Sequence, residues 1–135
     1  MEKKNIDWEN IGFGYIPTDK RFVANYKDGA WDEGGLTEDP NIVMNECAGV
    51  LQYAQTVFEG MKAYTTEDGH IVTFRPDLNA KRMVDSAKRL EMPPFPEDRF
   101  VDAIVQTVKA NEAYVPPYGT GATLTSDLIC SESIL

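Results

Sequence analysis

The run from Tyr53 to Leu90 constrains the fold more than any other part of this chain. Met61 to Thr65 and His70 to Phe74 are two short β-forming runs separated by Thr66-Glu-Asp-Gly69, the spacing and turn chemistry of a β-hairpin. Arg75-Pro76 then stops the strand. Pro76 fits a first helical turn, and Asp77 favours that turn's positive end. Ala80, Met83, Val84, Ala87 and Leu90 follow the i, i+3, i+4, i+7 rhythm of an amphipathic helix, which Pro93-Pro94 ends.

The flanks extend this pattern. After Pro96, the residues Phe100, Val101, Ile104, Val105 and Val108 form one apolar stripe of a second helix, closed by Tyr114-Val-Pro-Pro117. Upstream, Phe22 to Tyr26 reads as a strand, Lys27-Asp-Gly29 as a turn, Trp31 to Pro40 as a loop, and Ile42 to Met44 as a short strand. Residues 1–20 read as an irregular arm that docks Trp8, Phe13 and Tyr15 on the rest. Gly119 to Ala122 is a connector into a strand-like Ala-Thr-Leu124. Strands first and helices later predict an α+β domain with a mainly antiparallel sheet and two or so helices packed on it.

At 135 residues the chain is one domain's worth of sequence. Its net charge of −9 argues against a nucleic-acid partner, because phosphate backbones demand a basic face. No segment approaches the ~20 apolar residues of a membrane span, and MEKKNIDWEN has no signal-peptide core. The expected location is the cytoplasm. Cys47 and Cys130 show no metal spacing and lie too far apart in sequence to argue for a disulfide. No metal cluster, Ser-His-Asp set or phosphate-cradling glycine loop stands out.

Arg82 lies beside the apolar stripe of the first helix, with Arg89 two turns on. An arginine so placed can lay its stem on apolar surface and offer its fork to an anion; spacing alone reads both first as solvated flank residues. Phe58 precedes Gly60, a glycine that opens a strand and permits close backbone approach, although packing explains Phe58 and Tyr53 equally well. Lys62 alternates with Met61 and Ala63 and so faces solvent, with nothing beside it to activate its amine. His70 reads as a surface residue with no acid or thiol partner.

The run Tyr53-Ala-Gln-Thr-Val-Phe58-Glu-Gly-Met-Lys-Ala-Tyr64, with Phe74-Arg-Pro76, Asn79-Ala-Lys-Arg82-Met and Gly121-Ala-Thr-Leu124, resembles the amino-terminal small domain of branched-chain amino-acid aminotransferases. These are fold type IV enzymes that use pyridoxal 5′-phosphate. The resemblance runs from about Trp8 to Leu124 and implies reversible amino transfer from Leu, Ile or Val to 2-oxoglutarate. Phe-Glu-Gly also occurs in D-amino-acid transaminases and aminodeoxychorismate lyases; the longer Phe-Glu-Gly-Met-Lys-Ala form points to the branched-chain group. By position, Arg82 matches the arginine that binds the cofactor's phosphate, and Phe58 matches a wall of the substrate side-chain pocket. Tyr53 matches a tyrosine that enters the neighbouring subunit's site, so a homodimer is implied. The Schiff-base lysine belongs to a second domain beyond residue 135. On this reading the chain holds no catalytic residue, binds no cofactor by itself and is inactive alone. The alternatives are a non-catalytic module that dimerises or pairs with a separate cofactor-binding chain, and a sister fold type IV enzyme, a D-amino-acid transaminase or aminodeoxychorismate lyase.

The family continues after Gly-Ala-Thr-Leu with Tyr-x-Arg-Pro, whose Tyr and Arg handle substrate. Here Thr125 to Leu135 read TSDLICSESIL instead, which divides the chain into a domain over 1–124 and an aberrant tail over 125–135. A codon choice for Leu124 to Leu135 exists in which one T inserted after the first codon restores Leu-Tyr-Ile-Arg-Pro-Tyr-Met-Phe-Gly-Ile-Asn-Pro. The expectation is that a single-nucleotide deletion shifted the frame here, in which case Cys130 carries no selected role. Sequencing the encoding DNA is expected to reveal the second domain in a shifted frame downstream; its absence from every register would sink this account.

Overall fold

The computed structural model describes residues 2–12 and 14–131. Phe13, expected among the docking aromatics, and the last four residues of the tail lie outside the described residues.

The molecule is an α+β fold whose strand pairings are all antiparallel. Its centre is a three-stranded sheet in the order β6-β5-β7, formed by β5 (Thr56–Thr65), β6 (Ile71–Thr73) and β7 (Leu124–Ser131). The predicted hairpin is present, with Thr65 opposite Ile71 and Ala63 opposite Thr73. Gly69 turns it at a φ of 84°, where a residue without Cβ meets no penalty. β5 begins earlier than the sequence suggests, so Gly60 lies inside the strand rather than opening it. Ahead of β5 stands a short helix, α1 (Gly49–Tyr53), which the sequence reading missed.

Alternation along β5 divides the sheet into two unlike faces. Met61 and Ala63 point inward and are buried, while Phe58, Lys62 and Tyr64 point outward and are exposed. Helix α2 (Pro76–Arg89) and helix α3 (Glu97–Ala110) cover the inner face. Ala80 and Met83 of α2, and Phe100, Ile104 and Val108 of α3, meet Met61 and Ala63 in one core cluster that Val115 seals. α2 begins as predicted, with Pro76 in its first turn and Asp77 close behind. Arg75 precedes it in a left-handed conformation, φ 47°, and its guanidinium forks onto Asp77, with Nη2 at 2.6 Å. Asp77 is held below the usual carboxylate range by that pair.

Four upstream expectations change. The single strand from Phe22 to Tyr26 is two strands, β1 (Arg21–Val23) and β2 (Tyr26–Lys27), because Asn25 turns aside to bond Asp32 through both its backbone and its side chain. The Trp31–Pro40 loop contains the end of β3 (Ala30–Trp31), paired with β2, and the whole of β4 (Gly35–Thr37), paired with β1. Pairing to β1 overrides the Gly-rich composition of that stretch. Ile42 and Val43 form no strand and are exposed; among the described residues no strand pairs with them. Of the arm's docking aromatics Trp8 is half-buried and Tyr15 is left exposed, and charge and backbone contacts fasten the arm. Lys4 bonds through its amide to the Ala113 carbonyl and lies over the Tyr114 ring; Lys3 donates to the Glu112 carbonyl. Lys20 and the buried Asn111 exchange two further hydrogen bonds.

Gly34 shows how tightly the β1–β4 ribbon is closed. It adopts φ 68°, and an added Cβ would stand 2.7 Å from the Phe22 ring and 2.9 Å from the Val23 carbonyl oxygen. Gly34→Ala is expected to destabilise the fold by about 1–3 kcal/mol, read from urea unfolding; a neutral result would refute the close approach.

The arm has a pH window. Tyr114 donates to Asp19 at 2.7 Å, and that bond, helped by Lys4, holds the Asp19 carboxyl below its ordinary value. Tyr114 and then Asp19 hold the Lys4 ammonium above its own. A lowered acid contributes fully above its unfolded value, about 3.9, and loses that contribution as pH falls through the folded one. A raised lysine contributes fully below about 10.4 and loses it as pH rises further. The Lys4 amide resonance should therefore move toward its random-coil position below about pH 3.9 and hold steady through neutrality. A resonance that does not move on acidification would refute the clasp.

Candidate anion site at Arg82

β5 sends Phe58 and Glu59 to opposite faces of the sheet. Phe58 stands out on the open face, 67% exposed and opposite the equally open Ile129 of β7. Glu59 turns inward to the edge of the helix layer, its side chain only 12% exposed. A carboxylate so far out of water requires donors, and the structure supplies three N–H bonds. Arg82 Nε donates to Oε1 at 2.9 Å and Nη2 to Oε2 at 2.9 Å. Asn79 Nδ2, one turn earlier on α2, donates to Oε2 at 2.7 Å and to the Gly60 carbonyl at 3.2 Å. Glu59 raises the Arg82 pKa further, chiefly through these hydrogen bonds, so the guanidinium stays charged.

Arg82 is accordingly neither a free solvated flank residue nor a buried one. Its side chain is 59% exposed and carries a fixed ion pair on one edge. Glu59 and Asn79 escaped the reading of the sequence. The signal was present: alternation puts Glu59 on the same face as Met61 and Ala63, where an acid must find a cation, and Asn79 adjoins the apolar stripe of α2.

The remaining candidates are dispersed. Tyr53 ends α1 and is exposed. Lys62 is exposed between two buried neighbours, as alternation predicts. His70 does have an acid neighbour, Asp68 Oδ2 at 3.5 Å, because the hairpin turn brings the two together. Arg89 lines a surface crevice with Val57, Asp85, Ser86 and Leu90. A second crevice lies between Tyr26, Trp31 and Met92–Pro94, where Trp31 donates to the Pro94 carbonyl and meets Phe95 edge to face. Neither crevice is lined by Arg82, Phe58 or Tyr53. Cys47 and Cys130 are unbridged. Among the described residues no cluster could hold a metal ion, and no helix is long and apolar enough to cross a membrane.

Comparison with known proteins gives the site its context. The chain is 52% identical over 121 residues to a branched-chain-amino-acid aminotransferase of Haemophilus influenzae, covering 90% of this chain and 35% of that protein. A Helicobacter pylori protein of the same name is 45% identical, with 90% of this chain and 36% of that protein covered. The chain is homologous to a segment of the branched-chain aminotransferases. That segment spans about a third of the length of the curated relatives it matches. A methionine aminotransferase of Arabidopsis thaliana is 44% identical over 87% of this chain and 33% of its own length. No family model matches. Among solved structures, a branched-chain aminotransferase from Thermoproteus uzoniensis, crystallised with norvaline, superposes with a TM-score of 0.53 at 22% identity. The superposition covers 82% of this chain and 40% of the other, and shows that the two share a fold over that part.

Proposed function

We propose that this chain is the small-domain portion of a pyridoxal-phosphate-dependent branched-chain aminotransferase, with Arg82 as the cofactor's phosphate anchor. The observation that carries the reading is the 52% identity over nine tenths of the chain. The residues fit such a group. A half-exposed, permanently charged guanidinium with one edge unoccupied suits a phosphate dianion through paired, charge-assisted hydrogen bonds. When bound, the cofactor supplies the electron sink for amino transfer. Phe58 would contribute an apolar wall for a branched side chain, each buried methylene adding about 0.8 kcal/mol. Tyr53, exposed at the end of α1, would reach a neighbouring subunit's site in a homodimer. The substrates would be Leu, Ile or Val and their 2-oxo acids, in the cytoplasm.

We assign no catalytic residue to this chain. Covalent amine catalysis needs a desolvated lysine or one set among other cations. No described lysine is buried, and Lys62 faces outward. We further propose that residues 1–124 are the in-frame domain and that the tail from 125 is out of frame, although in this fold 125–131 pair with β5 as part of β7.

A second reading, a non-catalytic module that folds alone and dimerises, draws support from the open sheet face. Phe58 opposite Ile129 and Tyr64 opposite Val72 form two exposed apolar pairs there, with Lys62 and Asp127 between them.

Two proteins separate these readings, the 135-residue chain and the product of the repaired reading frame. The repaired protein should transaminate leucine, isoleucine and valine with 2-oxoglutarate, and preference for methionine would overturn the substrate assignment. The chain alone, mixed with pyridoxal phosphate, should show no absorbance change on adding amino acid. A change would refute the division of labour proposed here.

A further inference from the structure

We infer that Glu59 is a positioning residue, which clamps one edge of the Arg82 guanidinium so that the opposite edge is presented as a preformed phosphate fork. The inference rests on the phosphate-anchor reading of Arg82 and assigns a role to a residue that reading leaves idle.

The geometry comes from donor counting. A guanidinium has five N–H donors arranged on two forked edges, a side edge of Nε with one Nη and an end edge of both Nη atoms. Glu59 occupies the side edge, at 2.9 Å from both Nε and Nη2. Three N–H groups remain, both on Nη1 and the second on Nη2, and one from each nitrogen makes up the end edge. Among the described residues Nη1 has no hydrogen-bond partner. Two near-parallel N–H groups on that edge match two oxygens of a phosphate.

Glu59 can act as a clamp because it is itself held. It sits on the rigid central strand with its side chain largely out of water, and Asn79 fixes Oε2 while also bonding the Gly60 carbonyl. The chain of contacts therefore runs from the β5 backbone through Asn79 and Glu59 to Arg82. An unclamped arginine loses much of its rotamer freedom when it grips an anion. Here folding has already restricted it, so an anion meets a guanidinium with one orientation.

A competing role makes the opposite prediction. If Glu59 acted only through its charge, it would repel phosphate, and removing it would tighten binding. At a half-exposed site such repulsion is screened by water and salt, whereas the loss of preorganisation is not. The sign of the effect decides between the two.

The test uses the 135-residue chain, inorganic phosphate, and nitrogen-15 NMR of arginine side chains. In the unsubstituted protein the Arg82 Nε–H resonance should be protected from exchange and indifferent to phosphate, while the Nη resonances titrate with a Kd on the order of millimolar. Glu59→Gln keeps the side chain's size and one carbonyl acceptor but loses the charged fork. It should expose the Nε–H resonance to exchange and weaken phosphate binding about tenfold. Asn79→Ala should shift both readouts in the same direction by less, and a thermal melt checks that each variant is folded. Unchanged or tighter phosphate binding in folded Glu59→Gln overturns the positioning role while leaving Arg82 as the anchor. Phosphate that displaces Glu59, seen as an Nε–H response in the unsubstituted chain, overturns it as well. If no Arg82 resonance responds to phosphate in any variant, the anchor reading fails and the inference falls with it.

Discussion

The packing of β5 against α2 is the contact on which the rest of the structure depends. One strand of ten residues supplies Met61 and Ala63 to the core, Glu59 to the ion pair at its edge, and Phe58, Lys62 and Tyr64 to the open face. A shift of one residue in its pairing would exchange these sets at once. The apolar side chains of α2 and α3 would then face Lys62 instead of Met61, and Arg82 would lose its carboxylate. The register is fixed on one side by the Gly69 turn to β6 and on the other by the eight residues of β7. The hydrophobic core and the charged site are therefore specified by the same alternation.

Much of this was legible in the sequence because local signals agreed with the final packing. The β5–β6 hairpin, the Pro76 start of α2 and the apolar stripe of α3 each combine a turn or stop residue with a clear period. The failures lie where a distant partner decides. β4 has too much glycine to announce a strand, and it exists because β1 lies beside it. Ile42 and Val43 have the composition of a strand and, among the described residues, no partner strand. Docking of the amino-terminal arm was anticipated; its fastening by Lys3, Lys4 and Lys20 was not, since lysines that bond carbonyls near the end of α3 look like any solvated lysines.

The site was half legible. Arg82 can be placed from its helix position together with the family resemblance, yet its condition in the fold, half exposed and forked onto Glu59, is a tertiary fact. Glu59 stands between Phe58 and Gly60 in a motif whose sequence signal comes from the aromatic and the glycine. Its significance follows from strand parity, which becomes certain only when β5 is known to extend back to Thr56. Phe58, Tyr53 and Arg82 come from different elements of the chain, and Phe58 and Tyr53 are exposed. Homology relates the chain to about a third of the length of its curated relatives.

β7 has a consequence of another kind. A ladder of main-chain hydrogen bonds asks little of side-chain identity beyond alternation, and Leu124, Leu128 and Cys130 satisfy the inward positions well enough to pack on the core. The strand thereby becomes a sheet border eight residues long, without proline, with Asp127 as its one charged residue and with Ile129 exposed. Among the described residues its outer row of amide and carbonyl groups has no β-strand beside it. Long, uninterrupted borders of this composition are templates for edge-to-edge accretion between molecules. The same strand that completes the sheet therefore makes the folded chain a candidate for aggregation and for the cell's quality-control machinery.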